Sequence, residues 1–219
     1  MKRSTFLFGA GVAVGIAAVA AVRLGGRSVA TEVVYADLPL ATKVATAPLI
    51  VTGTVVDVSP TRWNQDDGTF WEKTVTDAYG EQTVDSAVPY HTVTVRVDET
   101  FADALGAAKD TVVLTVVGMG RDAEAGHGPD GADAAGVMSL STDSVSATAG
   151  ERVIAFARPG QLAWRDGTMR SVLVPMGSPG STVLSEAVLD SGAFAEVQSF
   201  DALVAQVAAA RGGAAPAED

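Results

Sequence analysis

The sequence predicts a mainly β protein. An antiparallel sheet, closed into a small β-barrel or stacked as a sandwich, is expected between an N-terminal hydrophobic targeting or transmembrane helix and a C-terminal amphipathic helix. Three observations predict it. Runs of β-branched residues recur from Leu49 onward and end at glycine or proline. Few of them are separated by anything with a helical period long enough for a parallel crossover. A long uncharged apolar run, Phe6 to Val22, stands behind Lys2 and Arg3 at the N-terminus.

The N-terminal run breaks its apolar character only at Gly9, Gly11 and Gly15. Its 17 residues lie between a signal-peptide core of roughly 7 to 15 and a spanning helix of roughly 17 to 25. Residues 1–30 are therefore read as a signal peptide or a membrane anchor, with the anchor at 6–22. Ala18-Val19-Ala20 and Ser28-Val29-Ala30 offer cleavage patterns, while Arg23 and Arg27 balance the flanking charge. Lys2-Arg3-Ser4-Thr5-Phe6-Leu7 resembles a twin-arginine export signal with lysine in the first arginine's place. Either way the domain is expected outside the cytoplasm, anchored or released.

Residues 31–48 read as a linker, and the β domain spans 49–192. Leu49 to Val58 forms a first strand, with Gly53 at a bend or bulge and Ser59-Pro60 as its stop. Tyr90 to Asp98 alternates Val93, Val95 and Val97 with Thr92, Thr94, Arg96 and Asp98, so one face is buried and the other wet. Thr111 to Val117 and Arg152 to Ala157 are near-continuously apolar strands, and shorter ones fit Val137 to Leu140, Met169 to Val174 and Thr182 to Leu189. Two long irregular inserts, Arg62 to Pro89 and the Gly-rich Gly118 to Gly136, interrupt them. In 193–211, Ser199 caps a helix whose Phe200, Leu203, Val204 and Val207 share one face, ending near Arg211 and Gly212-Gly213. Residues 212–219 read as a disordered acidic tail.

Charge excludes some partners. Four of the 15 basic residues and none of the 26 acidic ones fall in the first thirty, which leaves 11 against 26, a net charge of −15, on the rest of the chain. Such a surface repels phosphate backbones and anionic headgroups, so nucleic acid is not an expected ligand. With no cysteine, stability rests on the core, and thiol catalysis and a Cys/His zinc site are excluded. No nucleophile elbow, Ser-x-x-Lys dyad or phosphate loop occurs. His91 opens a strand and His127 sits between glycines, so neither reads as a fixed general base. No cofactor is expected.

What stands out is aromatic clustering. Trp63, Phe70, Trp71, Tyr79 and Tyr90 place five of the 11 aromatic residues of 31–219 within 28 positions. Trp63 and Trp71 are expected on a hairpin folding over the barrel mouth. Trp63, Trp71, Tyr79 and Tyr90 are the candidate contacts for an envelope protein or a glycan. Asp66, Asp67, Glu72 and Asp77 are the acids near them that a carboxylate-based hydrolase would use. Asn64 to Gly68 and Asp122 to Asp133 are the oxygen-rich stretches that a calcium-stabilised module would use.

The order Val51-Thr52-Gly53-Thr54-Val55, Trp63-Asn64, Thr92 to Glu99, Asp110 to Leu114 and Gly150-Glu151-Arg152-Val153 resembles uncharacterised exported bacterial proteins with a small OB-like β-barrel domain. The resemblance covers about half the chain and implies an OB-like barrel without transferring any catalytic residue. Here Phe101 to Lys109 replaces a short link, and the insert from Gly118 is long. The reading is a non-enzymatic cell-envelope domain that binds another envelope component, with the hydrolase and the calcium module as its rivals.

Overall fold

A computed structural model describes residues 38–76, 80, 82–118, 147–177, 180, 182–191 and 199–212. The targeting segment, Tyr79, Asp77, His127, the expected strand Val137 to Leu140 and the tail lie outside the described residues, as does the insert beyond Gly118. Among the described residues no helix is long and apolar enough to cross a membrane.

The first strand, β1 (Leu49–Val58), pairs antiparallel with two others. On one side lies β5 (Pro89–Asp103) and on the other β7 (Arg152–Ala163). Beyond β5 lies β6 (Thr111–Val117), and the short β2 (Arg62–Trp63) pairs with the first residues of β5. Along its second edge β7 carries β9 (Val183–Ser185) and then β8 (Met169–Pro175). A separate hairpin joins β3 (Glu72–Thr76) to β4 (Gln82–Ser86).

Strand alternation divides the core in two. Leu49, Val51 and Val55 point to one face with Val93 and Val95 of β5, Leu114 and Val116 of β6, and Val153 and Ala155 of β7. Ile50, Ile154, Phe156 and Leu184 point to the other. There they meet α1 (Leu40–Thr46), α2 (Glu186–Asp190) and α3 (Phe200–Arg211). This explains the sequence pattern: β1 and β7 are covered on both faces and read as continuous apolar runs, whereas Thr92, Thr94 and Arg96 of β5 are partly or fully exposed.

Helix α3 starts at the expected cap, where Ser199 Oγ accepts from Ala202 N at 3.2 Å, and stops at Gly212 in a left-handed conformation. Arg211 donates to the carbonyls of Val44 and Ala47 at 2.7 and 2.8 Å, tying the end of α3 to the end of α1. Phe200, the first residue of α3, is buried, with the Arg152 guanidinium 4.7 Å from its ring centre.

Four expectations need correction. The sheet does not close into a barrel, and the second sheet among the described residues is the two-stranded β3–β4 hairpin. The outer strands of the larger sheet, β6 and β8, come close, and Leu173 of β8 packs on the inner core, but side-chain packing bridges the gap without a hydrogen-bonded ladder. The linker 31–48 contains α1, because Val44 and Ala47 supply an apolar face for the helical layer. The strand expected over Thr182 to Leu189 lasts only three residues, since Ser185 Oγ accepts from Val188 N and turns the chain into α2. The insert Arg62 to Pro89 is ordered by β2 and by the β3–β4 hairpin rather than irregular.

Candidate functional site

The insert between β1 and β5 meets the β7–β8 turn at one end of the sheet, and Asn64 joins them. Its side chain is buried. Oδ1 accepts from Trp71 Nε1 at 3.0 Å and from Val88 N at 2.7 Å, while Nδ2 donates to the Ala163 carbonyl at 2.9 Å. Its own carbonyl accepts from Arg165 N at 2.9 Å. Gln65 beside it donates to Thr69 and accepts from the Arg165 guanidinium at 2.6 Å. Buried polar groups stabilise a fold when all are satisfied, and these two side chains satisfy one another's neighbours across 100 residues of sequence.

The turns on both sides are built alike. Gly68 and Gly167 take left-handed conformations. Asp67 Oδ1 accepts from the amide and hydroxyl of Thr69, and Asp166 Oδ1 accepts likewise from Thr168. These bonds hold both carboxyls below the ordinary value. Hydrogen bonds from Arg170 and Trp164, with the Arg170 charge, do the same for Asp66.

All three tryptophans of the chain gather here. Trp63 is half-buried and meets Phe70 edge to face, with ring centres 5.0 Å apart. Trp164, in the β7–β8 turn, is also half-buried and leans on Tyr90 at 5.9 Å. Its indole N–H donates to Asp66 at 3.1 Å, and the Arg170 guanidinium lies 3.9 Å from its ring centre. Trp71 and Tyr90 are buried, with Arg165 standing 5.7 Å from the Trp71 ring.

Of the residues singled out in the sequence, Trp63 lies on the surface of this cluster, Trp71 and Tyr90 lie beneath it, and Tyr79 is outside the described residues. Trp164, Arg165 and Arg170 were missed. They lie about a hundred positions from the aromatic insert, and only the count of tryptophans could have drawn attention to Trp164.

Of the acids near the aromatics, Asp66 and Asp67 are held below the ordinary carboxylate value by their hydrogen bonds, and Glu72 is exposed on β3. Asn64 and Gln65 are engaged as tethers within this junction. Among the described residues no three histidine or acidic side chains gather to hold a metal. The junction presents half-buried rings bordered by charged groups that can accept or donate hydrogen bonds. Comparison with family models, curated proteins and solved structures finds no match for the chain.

Proposed function

We propose that this chain is a non-enzymatic extracytoplasmic domain of the cell envelope, anchored by residues 6–22 or released after cleavage, that binds another envelope component. The observation that carries the reading is a pair of half-buried aromatic contacts at one end of the sheet: Trp63 against Phe70 in the insert, and Trp164 of the β7–β8 turn against Tyr90. Rigid aromatic rings that remain accessible supply contact area at low entropic cost and dominate binding energetics at interfaces. The basic start and apolar run of residues 1–30 support the location.

The order of strand neighbours supports the OB-like reading with the sheet left open: β1 lies between β5 and β7, with β6 and β8 outside them. In five-stranded OB folds the connections between the first and second and between the fourth and fifth strands frame the ligand site. With β1, β5, β6, β7 and β8 taken as those five, they are the aromatic insert and the β7–β8 turn.

The expected result is that wild-type protein, used as bait on solubilised envelope, retains a partner that a folded Trp63→Ala, Trp164→Ala double variant does not. Each large interface aromatic removed weakens binding by about 2 kcal/mol, so the pair should reduce capture at least tenfold. Equal capture by a variant with unchanged circular dichroism would remove this surface from the account.

A further inference from the structure

The site already holds a cation. The Arg170 guanidinium lies over the Trp164 ring at 3.9 Å and its Nη2 lies 2.6 Å from Asp66 Oδ1. The indole N–H fixes the same Asp66 oxygen at 3.1 Å, and Asp166 stands close enough for its charge to be felt at Asp66. An aromatic face with carboxylates at its edge is the environment that recognises a guanidinium or an ammonium group.

The internal occupant is loosely held. The Arg170 side chain is 45% exposed and that of Asp66 85%. An ion pair and a cation–π contact this exposed are both screened by water and hold the guanidinium only weakly. A competing cation carried on a segment that also touches Trp63 and Phe70 would gain more. Two other arginines stand at the junction: Arg165 donates to Gln65 and lies 5.7 Å from the Trp71 ring, and Arg62 lies against Gly68, while the guanidinium over the Trp164 ring is that of Arg170. The whole domain beyond residue 30 carries a net charge of −15, and such a field draws a basic partner in and discourages an acidic one.

We propose that Arg170 is a resident stand-in for a basic side chain of the partner, and that the Trp164, Asp66 and Asp166 surface receives an arginine- or lysine-bearing segment of an envelope protein. This deepens the contact reading and rests on it.

The test uses the full chain and a short peptide alternating glycine and arginine, with a glycine and glutamine peptide and cellohexaose beside it. Tryptophan fluorescence is the readout, since every tryptophan lies at the junction. The arginine peptide should bind and the other two should not. Its affinity should fall when salt is raised well above about 0.15 M. Arg170→Gln should tighten it about tenfold by vacating the site, and Arg96→Gln, the same charge change on the exposed face of β5, should tighten it far less. Equal tightening by both variants would reduce the effect to net charge and overturn the stand-in assignment. Binding of cellohexaose in place of the arginine peptide would overturn the basic-partner assignment and make the ligand a glycan. Either failure leaves the capture experiment with Trp63 and Trp164 unaffected, so the contact surface and the identity of its partner fail separately.

Discussion

Gly53→Ala should cost about 3 kcal/mol or more, at or beyond the upper end of ordinary overpacking. A Cβ at position 53 would lie 2.0 Å from the Arg96 carbonyl oxygen and 2.8 Å from Val95 Cγ1. Two of its three nearest atoms belong to the β5 backbone, which cannot rotate aside as a side chain could. Retreat is blocked on the other edge, because Gly53 also pairs with Val153 of β7. The register between β1 and β5 slips beside this residue, between Thr52 and Gly53, so the close approach accompanies a bulge. Urea unfolding should show a much lower midpoint with an unchanged slope. Gly106→Ala is the useful comparison. Gly106 has a left-handed backbone but open space where a Cβ would go, so it should cost only about 1 to 2 kcal/mol. Equal stability of the Gly53 variant and wild type would mean that the two strands do not meet in this way.

Asn64→Ala should have the second largest effect, about 2 to 4 kcal/mol, by leaving buried donors without acceptors. Truncation strands the Trp71 indole N–H and the Val88 amide and removes the bond to the Ala163 carbonyl. For a chain of this size the loss corresponds to a fall in Tm of roughly 5 to 15 °C. Because Asn64 tethers the insert to the β7–β8 turn, the same variant should shift tryptophan emission to the red in the folded state as Trp71 and Trp164 gain water. Asp66→Asn is the internal control: its exposed carboxylate accepts hydrogen bonds from Arg170 and Trp164 at the surface, so Tm should stay near that of wild type. A stable Asn64 variant with unshifted emission would show that the tether does not hold the cluster.

These two residues mark what the sequence could and could not reveal. Gly53 within a run of β-branched residues signalled a bend, and the structure adds the close carbonyl that makes glycine necessary. The limits of β1 and β6 and both caps of α3 were readable because each depends on local spacing: alternation, a serine before an apolar face, a glycine after it. Barrel closure was not readable, because it depends on whether two strands far apart in sequence align their backbone groups. The helix at Leu40–Thr46 was missed for a similar reason. Its seven residues carry no side-chain cap and too short a period, and their burial comes from packing beside α3. At the site, half the aromatic cluster was visible as a dense stretch between Trp63 and Tyr90. Its other half, Trp164 and Arg165 with Arg170 at the start of β8, belongs to an ordinary-looking turn whose importance arises only when Asn64 and Gln65 reach across to it.

The central claim, that this junction is where the protein meets its partner, is tested most directly in living cells by photo-crosslinking. A photoreactive phenylalanine analogue would replace Trp63 in one strain and Leu105 in another, Leu105 being exposed in the turn after the opposite end of β5. A discrete crosslinked product from position 63, absent from position 105 and lost when Trp164→Ala is added, is the predicted result. Crosslinks from position 105 with none from position 63 would contradict the account and place the contact at the other end of the sheet.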